Sequence, residues 1–165
     1  MISIRRNRPK RDSPDRRHVT LFQENQVRWI DDNLIQHEIP FVVIGGFAVK
    51  FYYYARETSD VDLFVGADDA TITRLVAAIR QLSADPTAKE RLLDRNLGHF
   101  NVGPPYNIDV LTFVDCLDID EAVRTAECRE MNGVKIPFVS RRLLIANKRV
   151  CGTPKDLEDV RLLQE

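Results

Sequence analysis

Residues 45–65 read GGFAVKFYYYARETSDVDLFV, and the two ends of that run decide the fold. Its end, Asp60-Val61-Asp62-Leu63-Phe64-Val65, has the composition of a buried strand and yet carries two carboxylates. Side chains alternate along a strand, so Asp60, Asp62 and Phe64 are expected to point one way and Val61, Leu63 and Val65 the other. The two acids would then stand about 7 Å apart at roughly 3.3 Å per residue. Like charges this close raise each other's pKa unless a positive charge lies between them. A divalent cation meets that need, and magnesium takes a few carboxylate oxygens while leaving positions for water and phosphate. At its start, Gly45-Gly46 follows the apolar strand candidate Phe41-Val42-Val43-Ile44 and precedes a helix expected over about 47–54. Paired glycines there let the backbone approach an anion, and a helix start adds amide donors and a favourable dipole.

A third acid fits the pattern. Asp109 lies within Tyr106-Asn107-Ile108-Asp109-Val110-Leu111-Thr112-Phe113, a strand in which Ile108 and Val110 share one face and Asp109 takes the other. A lone carboxylate in an apolar run needs a partner. If this strand lies beside residues 60–65, three carboxylates share one patch, enough for two metal ions in an in-line phosphoryl displacement. Asp109 could also take the proton of an incoming hydroxyl.

Outward from this centre the chain alternates between elements. Thr20 caps an expected helix to about His37, with Phe22, Val27, Ile30 and Leu34 at helical spacing. Asp68 or Asp69 caps a helix to about Leu82, and a shorter one is expected over 86–93. His99 to Val102 and Tyr106 to Val114 read as strands. Asn132-Gly133, between strand-like runs 126–131 and 134–139, signals a type I′ hairpin. Two helices follow, one over about 140–150 and one opened by Thr153-Pro154, a cap followed by proline at the first helical position. The expectation is an α/β (α+β) fold, a mixed central sheet flanked by helices, as one domain over residues 19–165.

The bulk properties agree with a globular enzyme or binding protein. The chain has 165 residues, 44% hydrophobic and 30% charged, enough for one cored domain. No apolar run reaches the roughly 20 residues of a membrane span, and no apolar segment follows the charged start as a secretory signal would require. The three cysteines, Cys116, Cys128 and Cys151, match no zinc or disulfide spacing and read as reduced thiols of a cytoplasmic protein. The net charge of −1 conceals a basic arm: residues 1–18 hold seven arginines and lysines against two aspartates. Such an arm is most simply a solvated, flexible tail, and alternatively a contact for nucleic-acid phosphates or an acidic partner.

The residues quoted above resemble a known family. Ile44-Gly45-Gly46, a spacer over residues 47–59, and Asp60-Val61-Asp62-Leu63 are similar to the signature of the DNA polymerase β-like nucleotidyltransferase superfamily, with the spacer at the long end. Ile108-Asp109-Val110 resembles its third carboxylate. Arg56-Glu57-Thr58-Ser59 before the acids, with Leu143 to Lys148 and Gly152 to Asp159, resembles the small branch of minimal nucleotidyltransferases and AbiEii-like toxin proteins. The likeness spans most of residues 40–163 and not the arm.

The resemblance implies transfer of a nucleoside monophosphate from an NTP, ATP foremost, to a hydroxyl of a protein, an RNA or a small molecule. Two Mg2+ ions, or Mn2+ in their place, would be held by Asp60, Asp62 and Asp109, with Asp109 also activating the acceptor. Gly45 and Gly46 would hold triphosphate oxygens, and Lys148, Arg56 and Thr58 are candidate substrate contacts. Lys148 has a second reading, as a solvated cation complementing a helix C-terminus. No separate substrate-binding domain is visible. A second function therefore stands beside the enzyme: a weakly active or inactive toxin–antitoxin component that acts by binding a partner protein. A third is a nucleic-acid binder using the basic arm. Tyr52, Tyr53 and Tyr54 read mainly as helix packing, Trp29 as core, and His18, His37 and His99 share no metal-like spacing; His99 reads as a strand residue, with the site rim only a minor alternative.

Overall fold

The computed structural model describes residues 21–165; the basic arm and the Thr20 cap lie outside them. Its centre is a six-stranded sheet in the order β3-β4-β2-β1-β6-β5. The two apolar runs that flank the glycine pair and the acids form its middle. β1 (Val42–Ile44) is buried throughout, as a strand with no polar alternation should be. It pairs antiparallel with β2 (Val61–Phe64) and parallel with β6 (Val134–Phe138). β2 in turn pairs parallel with β4 (Ile108–Leu111). The short β3 (His99–Asn101) closes one side antiparallel to β4, and β5 (Glu127–Met131) closes the other antiparallel to β6. The sheet is mixed and the helices flank it, as the sequence implies.

Helix α1 (Glu24–Ile30) continues without a break into one π turn, Asp31–Ile35. Its apolar side, Val27, Trp29, Ile30 and Leu34, is buried. α2 (Gly45–Tyr52) starts at the glycine pair itself, earlier than the expected position 47. α3 (Asp69–Ala78) is capped by Asp68, whose side chain accepts from the Thr71 amide at 2.9 Å. The helix expected to run to Leu82 is interrupted: Ile79 adopts an extended backbone, and α4 (Arg80–Ser83) resumes beyond it. Ile79 is wholly buried, so packing of its side chain accompanies a break that no glycine or proline signals. α5 (Ala88–Leu93) follows. α6 (Ile119–Arg124) is an element the sequence reading lacked, although Asp118 caps it by accepting from the Glu121 amide.

α7 (Arg141–Cys151) and α8 (Pro154–Gln164) pack against each other and against α2. Thr153 and Asp156 form the reciprocal cap of α8 that Thr-Pro announces. The core is continuous across the sheet: Phe22 lies edge-on to Phe47, and Phe51 stacks on Phe138. Trp29 belongs to it, Tyr52 is half-buried with its hydroxyl donating to the Val139 carbonyl, and Tyr54 is exposed. Among the described residues no helix is long and apolar enough to cross a membrane.

The β5–β6 turn has positive φ at both Asn132 and Gly133, as a type I′ turn requires. A Cβ on Gly133 would meet nothing, so only backbone strain opposes it. Gly133→Ala is expected to lower stability by about 1 kcal/mol. Urea unfolding should show this as a lower midpoint at constant slope.

Candidate active site

The strand register brings Asp62 and Asp109 side by side. In the parallel β2–β4 pair Asp62 faces Asp109, and in the antiparallel β1–β2 pair Asp62 faces Ile44. Neighbouring strands lie about 4.8 Å apart, so the two carboxylates share one patch of the sheet surface. Two charges near 5 Å in an effective dielectric of about 20 repel by roughly 3 kcal/mol. The Asp62 carboxyl reflects this. Burial first, then Asp109 and Asp60, push it up to about 6, against a smaller opposing effect of Lys148 and His99.

Asp60 is placed differently from the expectation. It lies outside β2, which begins at Val61, where the Val61 amide donates to the Asn107 carbonyl. The strand starts where its β4 partner starts, and Asp60 remains in the preceding loop. Its side chain is exposed and accepts from the Ser59 hydroxyl at 3.3 Å. The alternation that set Asp60 beside Asp62 therefore does not apply, although its charge still reaches Asp62.

The glycine pair and the acids form one packing unit. Gly45 has a φ of +64°, and a Cβ there would fall inside the Asp62 carboxylate. A Cβ on Gly46 would stand 2.7 Å from the Thr58 hydroxyl oxygen. Both glycines are thus required by the closeness of Asp62 and Thr58, in addition to whatever binds their amides. Ile44 precedes α2 and provides no side-chain cap, so the first-turn amides have no side-chain partner there. A helix start of this kind favours an anion.

Arg56 and Lys148, expected as substrate contacts, meet on a buried acid. Asp159 of α8 is 1% exposed; it accepts from Arg56 Nε at 2.7 Å and pairs with Lys148 Nζ at 3.0 Å. Lys148 also donates to Asp156 at 2.8 Å. Lys148 is buried, which rules out its reading as a solvated helix-end cation. Burial opposes the Lys148 ammonium, but hydrogen bonds to Asp156 and Asp159 outweigh it and hold the group above its ordinary pKa. Burial likewise opposes the Asp159 carboxylate, and Arg56 and Lys148 reverse that and hold it below the usual range. Asp159 enters the sequence analysis only as the end of a family-like run, with no role assigned to it. The signal was available: an acid beside Val160 on the apolar side of the helix needs a cation.

On the other side of the acid pair, Asn101 Nδ2 donates to Asp109 Oδ1 at 2.7 Å and His99 Nε2 lies 2.9 Å from the same oxygen. His99 is therefore bonded to the site, and Asn101 joins it unforeseen.

A comparison with family models matches residues 31–163 to the nucleotidyl transferase AbiEii toxin family of type IV toxin–antitoxin systems. The chain belongs to the AbiEii family. The family indicates nucleotidyl transfer in a toxin–antitoxin setting. The fold agrees with the crystal structure of an antigenic nucleotidyltransferase-like protein from Paracoccidioides brasiliensis, at a TM-score of 0.51 and 16% identity over 86% of this chain and 77% of that one. A comparison with curated proteins returns no match.

The donors of this AbiEii chain fit a hard divalent cation in part. Asp62 and Asp109 offer carboxylate oxygens and an uncompensated negative charge, which suits magnesium with water and phosphate in the other positions. Among the described residues no cluster of three or more His, Cys, Asp or Glu side chains is gathered to hold a metal. A cavity of about 520 Å³ opens elsewhere, beside α1, lined by Trp29, Tyr106 and polar residues and by none of these acids. Shape and charge thus point to different places. The acids decide, since Asp62 and Asp109 repel each other, whereas Glu24 at the α1 cavity already pairs with Arg28.

Two outcomes follow from these charges. In metal-free protein the Asp62 carboxyl titrates near 6 when folded and near 3.8 as a free side chain. Its contribution to stability is present below about 3.8 and lost as pH rises through 6. Asp62→Asn is expected to be more stable than the parent by on the order of 2 kcal/mol at pH 8, and equal to it near pH 3. Chemical unfolding at the two pH values, with chelator present, measures this; equal stability at pH 8 would contradict the uncompensated acid pair. Asp159→Asn leaves the buried Lys148 and the half-buried Arg56 short of a counter-charge and should cost about 3 kcal/mol, read from thermal or urea unfolding.

Proposed function

We propose that this chain is a magnesium-dependent nucleotidyltransferase that moves a nucleoside monophosphate from an NTP to a hydroxyl group of a protein, an RNA or a small molecule. The observation that carries the reading is the pairing of Asp62 with Asp109 directly against the Gly45 turn. Acids and uncapped helix amides are the two things a nucleoside triphosphate needs, one set for its metal and one for its oxygens.

In this reading Asp62 and Asp109 would hold Mg2+, or Mn2+ in its place, and Asp60 would serve a second ion from the rim. When bound, the metal neutralises charge on the reacting phosphate. The α2 amides at Gly45 and Gly46 receive triphosphate oxygens, with the Thr58 hydroxyl beside them. Asp109 takes the acceptor proton as the oxygen–phosphorus bond forms at the α-phosphate and pyrophosphate leaves. Lys148 and Arg56 lie on the Asp159 side of the site, and a phosphate must draw one of them from its carboxylate. ATP is the first nucleotide to try.

A second reading, a component that acts by binding a partner protein, is favoured by the same details. Both cations are already neutralised, and a third acid does not close on the other two. Titration calorimetry with each of the four NTPs, with and without Mg2+, separates the two. Magnesium-dependent binding that disappears in Asp62→Ala is the expected result. No NTP binding by the wild-type protein overturns the transferase reading and leaves partner binding.

A further inference from the structure

The edge strand β3 carries two polar side chains that the transfer chemistry does not itself use. It runs antiparallel to β4, with Asn101 opposite Asp109 and Phe100 opposite Val110. Alternation therefore puts His99 and Asn101 on the face of Asp109, and Phe100 on the face packed against the core. Polar residues on an exposed edge strand ordinarily face water. Here both reach the same atom, Asp109 Oδ1, at 2.9 and 2.7 Å. An ionised carboxylate only accepts, so His99 donates from Nε2 and Asn101 from Nδ2. Among the described residues no donor is directed at Asp109 Oδ2.

We infer that His99 and Asn101 are positioning residues that hold Asp109 by one oxygen and keep the other free for the cation beside Asp62. Two donors from one strand fix both the rotation of the carboxylate and its distance from Asp62. A third donor would compete with the ligand, and a single one would leave the group free to rotate. The pair also offsets part of the Asp109 charge through its two hydrogen bonds. Partners of this kind behind a metal-ligating carboxylate typically change metal affinity 10–100-fold when removed. This inference rests on the metal-binding reading of Asp62 and Asp109 given above.

The test is Mn2+ binding to the full chain, followed by the loss of the free-ion EPR signal. The variants are His99→Phe, Asn101→Leu and His99→Gln, each checked by thermal unfolding. Both apolar variants should bind Mn2+ about tenfold more weakly or worse while unfolding at the parent temperature, and His99→Gln, which retains a donor, should bind close to the parent value. Wild-type binding with unchanged affinity in both apolar variants overturns the inference and leaves the metal site standing. No Mn2+ binding by the wild type overturns the metal-site reading and the inference together. Weakened binding that His99→Gln fails to restore overturns the role of His99, and a parallel loss of thermal stability assigns the effect to folding instead.

Discussion

Asp62 occupies the space in which any other residue at position 45 would put its Cβ. That exclusion ties together parts of the chain that are far apart in sequence. It requires a glycine at the end of β1, and the positive φ of that glycine turns the backbone from strand into α2. It sets β2 against the same turn, and β2 sets the register of β4 and thereby the neighbour of Asp62. The glycine pair is therefore as much a packing device for the acid-bearing strand as an approach for phosphate. Thr58 against Gly46 repeats the arrangement one residue along.

Charge is distributed unevenly around this contact. The acids on the sheet lack a fixed counter-ion, and burial together with their mutual repulsion keeps Asp62 hard to ionise. The cations nearby are in the opposite condition, with Arg56 and Lys148 both neutralised by carboxylates of α8. A bound cation between the acids and an anion near the glycines would each meet an unmet electrostatic demand. Arg56 and Lys148 would require an exchange of partners. The helical pair α7–α8 is thus an electrostatic brace for the segment between α2 and β2, and its chemistry follows from where it is pinned.

Much of this was legible in the sequence, and the failures share a cause. The strand–glycine–helix–strand run, the Asn132-Gly133 turn and the Thr153-Pro154 helix start are local chemistry, and each is found where the residues indicate. Alternation, a local rule, puts Asp60 in the strand, whereas the strand's first residue is set by where β4 begins. The break at Ile79 has no local breaker, and α6 is a six-residue helix whose start only Asp118 and Glu121 mark. His99, Asn101 and Asp159 acquire their roles only from partners 8 to 103 residues away, which a single sequence does not pair. Composition indicated that Asp109 needed a partner; register determined which partners it has.

The parallel pairing of β2 with β4 also bears on the order in which the molecule assembles. The β5–β6 hairpin closes through a two-residue turn and belongs to the fastest class of elementary folding events. The β2–β4 ladder must wait for everything between Phe64 and Ile108 to be laid down as a crossover, the kind of non-local contact that slows folding. Closing this ladder brings Asp62 beside Asp109, so their repulsion opposes the pairing of two strands that lie far apart in the chain. A cation that settles between the two acids finds that site only in the folded chain, and by mass action it draws the equilibrium toward the folded state.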